Sequence, residues 1–155
     1  MTYDSASSTS LPKKLVAFCV DDQEYCVDIM SVREIRGWTA ATRLPHSPAY
    51  VRGVINLRGS VLPIVDLASR LGLELTEASA RHVIIVTQIR GKEMGLLVDA
   101  VSDILTIIDE TMQPTPDVAS DTAKSFVKGV LSIEDRMIRF VDLERITPPV
   151  RSEAA

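Results

Sequence analysis

The constraint that bears hardest on this sequence is that part of it occurs twice. Residues 53–67, GVINLRGSVLPIVDL, align without a gap on residues 129–143, GVLSIEDRMIRFVDL, with five identities over 15 positions. Five further positions exchange one apolar residue for another, and the offset is 76 residues. A second block, 24–35 against 93–104, matches at an offset of 69 with Glu, Val and Ile identical. The seven-residue difference falls between 109 and 128, where an insertion costs little closure entropy. Chance likeness between two β-rich stretches is the alternative, but two blocks in the same order favour internal duplication. Residues 53–67 and 129–143 are therefore expected to superpose as equivalent hairpins in two barrels.

The repeated unit is written in short strands. Residues 15–20 (LVAFCV) and 25–28 (YCVD) flank the polar stretch 21–24 and read as a hairpin. Residues 34–43 are mixed and lead as a strand towards Leu44-Pro45, and Ser47-Pro48 is written like the start of a one-turn helix over 49–51. Residues 54–57 and 61–65 form a hairpin around Arg58-Gly59-Ser60, followed by a short helix over 67–71 capped by Asp66 and closed by Gly72. The second half runs as strands over 82–89, 93–99 and 102–108, a long polar loop from 109 to 120, and a hairpin of 129–133 with 137–141. Asp142 then opens a final helical turn. Each half supplies about five short strands, too few for a two-sheet sandwich but enough for a small closed barrel. Closure also removes edges that would pair with other chains. The expectation is an all-β chain of two barrels sharing an apolar seam that includes Val32, Ile35, Val101 and Ile104.

Composition narrows what such a chain does. A formal charge of −4 and seven aromatics among 155 residues argue against a basic, stacking nucleic-acid face. The apolar runs fall far short of the ~20 residues that span a bilayer. The Ser/Thr-rich N-terminus lacks the apolar segment of a secretory signal, so a cytosolic protein, or the cytosolic part of an assembly, is expected. Cys19 and Cys26 then read as reduced thiols on neighbouring strands, with a redox pair across the hairpin as the alternative. His46 and His82 have no His or Cys at ligand spacing, so no metal is expected. No GxSxG, phosphate loop or GxGxxG is present, and neither catalysis nor a cofactor is expected.

The order of the motifs resembles a known family. The run 24–35 (EYCVDIMSVREI), then 53–59 (GVINLRG) and 62–67 (LPIVDL), is similar to CheW, the bacterial chemotaxis coupling proteins. Residues 95–101 (GLLVDAV) and 135–137 (DRM) extend the likeness to roughly 14–147. The resemblance implies two intertwined five-stranded β-barrels of SH3-like type. The halves are expected at about 14–80 and 81–147, free to exchange strands, between flexible tails 1–13 and 148–155. It further implies a non-catalytic adaptor, cytoplasmic and held at receptor arrays on the inner face of the membrane. The implied partners are the cytoplasmic hairpin tips of chemoreceptors, the regulatory domain of the chemotaxis histidine kinase and, in array rings, further copies of the coupler. A coupler of a non-motility array controlling pili or cyclic-dinucleotide signalling is one alternative. A barrel binding a small ligand or nucleic acid is a distant one.

Residue by residue, the resemblance places Val32, Glu34, Ile35, Gly53, Arg58, Gly95, Val101 and Ile104 against the receptor tip. The planar fork of Arg58 suits a carboxylate, which Lys would not reproduce. Glu34 would flank the same apolar groove, Gly53 would let a partner backbone approach, and Gly95 would leave room for a helix side chain. Trp38 and Leu44 are assigned to the kinase, and so are Gln113, Asp117 and Val118. Many family members carry a basic and an aromatic residue in that last loop. Gln113 and Val118 depart from that pattern, which implies weaker ring closure or a differently matched kinase. From the residues alone, Arg58 and Glu34 are solvated charges, Val32 and Ile35 core, and Trp38 a packing residue.

Overall fold

The computed structural model describes residues 13–108, 112–116 and 121–148. The chain runs through β1 (Lys14–Val20), β2 (Gln23–Asp28), a 3-10 turn (Ile29–Ser31), β3 (Val32–Gly37), β4 (Val51–Leu57), β5 (Ser60–Asp66) and α1 (Leu67–Arg70). It continues with β6 (Val83–Ile89), β7 (Lys92–Val98), β8 (Ala100–Thr106), α2 (Asp121–Phe126), β9 (Val127–Ile133), β10 (Arg136–Val141) and α3 (Leu143–Ile146).

Four hairpins organise these strands, and all four close in the same way. The turns are Asp21-Asp22, Arg58-Gly59, Arg90-Gly91 and Glu134-Asp135, each joining strands whose flanking residues pair directly. Both central residues of every turn have positive φ, between 49° and 88°. That is the two-residue turn whose twist matches the twist of the strands it joins. The turns are thus shorter than the three- and four-residue stretches expected from the sequence.

The strands form two five-stranded sheets, ordered β9-β10-β2-β1-β8 and β3-β6-β7-β5-β4. The sheets are not consecutive in the chain. Hairpin β1–β2 lies between β10 and β8, and hairpin β6–β7 lies between β3 and β5, so each half gives one hairpin to the sheet of the other. Among the described residues the insertion makes the only parallel pairs, β10 with β2 and β5 with β7. At the repeat offsets these pairs coincide: Ile64 faces Gly95 where Phe140 faces Cys26.

The duplication extends to the strand register, residue by residue. Every pairing of β4 with β5, from Val51 with Val65 to Leu57 with Ser60, recurs 76 residues later between β9 and β10. The bulge between Val51 and Gly53 recurs between Val127 and Gly129. Asp66 and Asp142 each cap the following helical turn through the amides of Ser69 and Arg145. Each sheet is laced shut by one further bridge: Thr42 exchanges backbone bonds with Val54, and Gln113 with Val130. Gly53 and Gly129 are bare for that reason. A Cβ would stand 2.3 Å from the Thr42 carbonyl oxygen at Gly53 and 2.5 Å from that of Gln113 at Gly129.

Among the described residues the core falls into three apolar clusters. Leu15, Ala17, Cys26, Leu131, Ile138 and Phe140 lie within the first sheet, and Ile55, Leu62, Ile64, Ile84, Val86 and Leu97 within the second. The largest joins the two, with Phe18, Val27 and Val141 from one sheet against Val65, Ile85 and Leu96 from the other. This is the expected seam, and Val32 and Val101 pack on it. Ile35 and Ile104 do not: on the edge strands β3 and β8 they remain 45% and 57% exposed, because an edge strand has no outer neighbour to cover them.

Other expectations are also corrected. Residues 49–51 form no helix. Val51 donates to the Pro48 carbonyl in a turn, and β4 starts at Val51 rather than at 54. Helix α2 was unread, since DTAKSF carries no apolar periodicity over so short a span. The reading of Cys19 and Cys26 as free thiols on neighbouring strands stands, and Cys26 is buried, which pushes its thiol up to about 12. They stand opposite Glu24 and Ala17, not each other.

Candidate functional site

Arg58 occupies the first position of the β4–β5 turn at φ 51°, and Gly59 follows at φ 88° with its amide bonded to Asn56 Oδ1 at 2.8 Å. The tight turn presents the side chain to solvent, 71% exposed. The curl of the sheet carries the tip over β3. There the Arg58 guanidinium donates to Glu34 Oε1 at 2.6 Å.

Glu34 is aimed by a bulge. The register of β3 on β6 shifts between Val32 and Glu34, which sets Glu34 and Arg36 on one side of the strand and Ile35 on the other. Arg36 holds the second carboxylate oxygen at 3.3 Å. The carboxyl of Glu34 is held below its ordinary range, first by the hydrogen bond from Arg58. Arg33 donates to Gln88 of β6. Sequence reasoning treated Arg58 and Glu34 as separate flanking charges, whereas they form one ion pair that fixes the guanidinium over the strand edge.

The remaining assigned residues are scattered by comparison. Val32 and Val101 reach the shared seam from opposite sheets, and Ile104 lies exposed on β8, level with Val16. Gly53 is buried with φ 137°, and the backbone it admits is the chain's own at Thr42 rather than a partner's. Gly95 also faces inward. A Cβ there would meet Ile84 Cγ2 at 2.7 Å and Ile64 Cδ1 at 2.8 Å, so it opens no place for a partner side chain. Trp38 is half-buried against the second-sheet cluster, with the Arg52 guanidinium 5.9 Å from its ring, which is the packing role its residue type suggested. Leu44 is 45% exposed and lines a groove of about 540 Å³ with Pro45, Pro48, Val51 and Pro63. Gln113 is exposed, its backbone spent on Val130. Asp117 and Val118 lie outside the described residues.

One charged constellation was missed. Arg136, at the start of β10, makes two bonds to Glu24 of β2, at 3.0 and 2.5 Å, and two to Asp103 of β8, at 3.1 and 3.0 Å. The hydrogen bond from Arg136 lowers the Glu24 carboxyl, and the two carboxylates raise the guanidinium. The repeat carried a signal for it, because Asp103 is the counterpart of Glu34 at offset 69. Among the described residues no group of three or more His, Cys, Asp or Glu is placed to hold a metal, and no helix is long and apolar enough to cross a membrane.

Comparison with known proteins bears on this geometry. Residues 14–149 match the model of the CheW-like domain. A probable chemotaxis protein CheW of Rhizobium etli is 58% identical over 155 residues, covering the whole of both chains. The chemotaxis protein CheW of Rhizobium meliloti is 59% identical over the same span, again the whole of both. Among solved structures, the scaffolding protein TtCheW of Thermoanaerobacter tengcongensis superposes with a TM-score of 0.75 at 36% identity, over 86% of each chain.

Proposed function

This chain belongs to the CheW-like domain family, and from that premise we propose that it is a non-catalytic coupler joining chemoreceptor hairpin tips to the regulatory domain of the chemotaxis histidine kinase. It would act in the cytoplasm, at the inner face of the membrane. The observation that carries the reading to residues is the Arg58–Glu34 pair, 2.6 Å long, on the edge strand that carries the exposed Ile35 on its other side. A helical hairpin docked along this edge strand would cover Ile35 on one side of it and meet a fixed, forked donor on the other. Val101 and Ile104 supply the matching edge of the other sheet. Gly53 and Gly95 serve this surface only indirectly, by letting the barrel that carries it close. The kinase surface is proposed at Leu44 with Trp38 behind it, and at the loop of Gln113, Asp117 and Val118.

The test is titration of receptor tip and kinase regulatory domain separately. An exposed turn arginine contributes about 0.5 kcal/mol or less to stability. At an interface the same residue is worth roughly 2 kcal/mol, some thirtyfold in affinity. Arg58→Ala is expected to melt like the parent and lose the receptor tip, with Arg58→Lys recovering only part. Glu34→Gln is expected to weaken the same partner, because it frees the guanidinium. Unchanged affinity for both partners in Arg58→Ala rejects the assignment.

A further inference from the structure

One side chain breaks the symmetry of the seam. Tyr50 and Phe126 are repeat counterparts at offset 76, and both rings pack on the seam cluster. Each accepts at its carbonyl the amide of the capping aspartate of its own half, Asp66 at 2.7 Å and Asp142 at 2.9 Å. Arg70 of α1 reaches both rings. Its guanidinium carbon stands 4.1 Å from the centre of the Tyr50 ring and 4.5 Å from that of Phe126. Its Nη2 donates to the carbonyl of Arg145 in α3 at 3.3 Å. Tyr50 precedes β4 and α1 follows β5 of the second sheet, whereas Phe126 precedes β9 and α3 follows β10 of the first. One residue thus holds elements of both sheets.

The counterpart of Arg70 is Ile146, fully buried in the same cluster. A residue that touches both members of a repeat pair sits close to the axis relating the halves, where two guanidinium groups would repel. Only one half carries the cation for that reason. Burial alone does not select an arginine here. Its Nε is buried with no acceptor among the described residues, a cost that methionine, also long and unbranched, would avoid. What arginine adds is direction: a planar cation holds two rings at set distances and a carbonyl along a set line. The aliphatic contacts of the seam have no such preference.

The receptor surface proposed above draws on both sheets, with Glu34 and Ile35 on β3 of the second and Val101 and Ile104 on β8 of the first. We propose that Arg70 is a positioning residue that fixes the angle between the two sheets, and with it the spacing of β3 and β8 that a bound receptor helix reads. The effect on the receptor rests on the coupler reading; the effect on the angle does not.

Residual dipolar couplings of the backbone amides, measured on the full chain well below its melting temperature, read the angle directly. In the parent the couplings of both sheets are expected to fit one alignment tensor. In Arg70→Met each sheet is expected to fit by itself while the two require different tensors, and receptor-tip affinity is expected to fall about tenfold. Arg70→Lys keeps the charge without the plane and is expected to recover only part of both losses. Phe126→Leu removes the ring on the first-sheet side with Arg70 in place, and it reads the same angle if Arg70→Met fails to fold. A residue that only fills space would lower the melting temperature and leave the couplings on one tensor, and that result in a folded variant overturns the proposal. Two tensors with unchanged receptor affinity would uphold the angle and reject the receptor surface.

Discussion

At the scale of single residues, several ion pairs of this protein tie together segments distant in sequence. Arg136 is the clearest case, since Glu24 arrives on a hairpin from the other half of the chain. The Glu24 carboxyl titrates below its ordinary value of 4.5 because Arg136 donates to it. A carboxyl depressed in the folded state contributes stability that is complete above its unfolded value and is lost as pH falls through the folded one. Denaturant midpoints should therefore hold steady from neutral pH down to about 5 and then fall. In Arg136→Met the acid limb should be shallower and the neutral midpoint lower, because two carboxylates are left facing each other. An identical acid limb in parent and variant would assign the loss to other groups.

Elements depend on backbone conformation as much as on apolar pattern. The β4 bulge puts Gly53 at φ 137° with the Thr42 carbonyl where its Cβ would be, so two separate costs fall on one substitution. Gly53→Ala is expected to destabilise the fold by about 3 kcal/mol, strain and overpacking together. Gly95→Ala meets side-chain methyls, of Ile84 and Ile64 first, rather than backbone, and should cost about 1–2 kcal/mol. Urea denaturation of both variants checks the order. A Gly53→Ala protein as stable as Gly95→Ala would mean that the Thr42 bridge gives way cheaply. At Asp22, where φ is 66°, the reverse change is favourable, and Asp22→Gly should gain about 0.5–1 kcal/mol.

At the scale of the whole molecule, the exchanged hairpins make the halves mutually dependent. Each half on its own would leave β3–β5 or β8–β10 without the hairpin that completes its sheet. Fragments 13–80 and 81–148 are expected to lack dispersed amide spectra alone and to gain them on mixing. A folded lone fragment would show that its own hairpin can take the vacant place. The sequence carried the duplication in Gly53, Val54, Val65, Asp66 and Leu67, because a hairpin register and a helix cap are local, and local structure repeats when its residues do. It also placed Arg58 at an exposed tip, since Arg-Gly between two apolar runs is a turn by backbone preference alone. Only tertiary structure decided which sheet each hairpin joins, because the pairing of β2 with β10 and of β7 with β5 brings together segments distant in the chain. Tertiary structure likewise decided that Gly53 and Gly95 face the chain itself, that Ile35 and Ile104 stay outside the seam, and that Glu34 belongs to Arg58. Each of these depends on what another segment brings within a few ångströms, and no spacing within a segment encodes that.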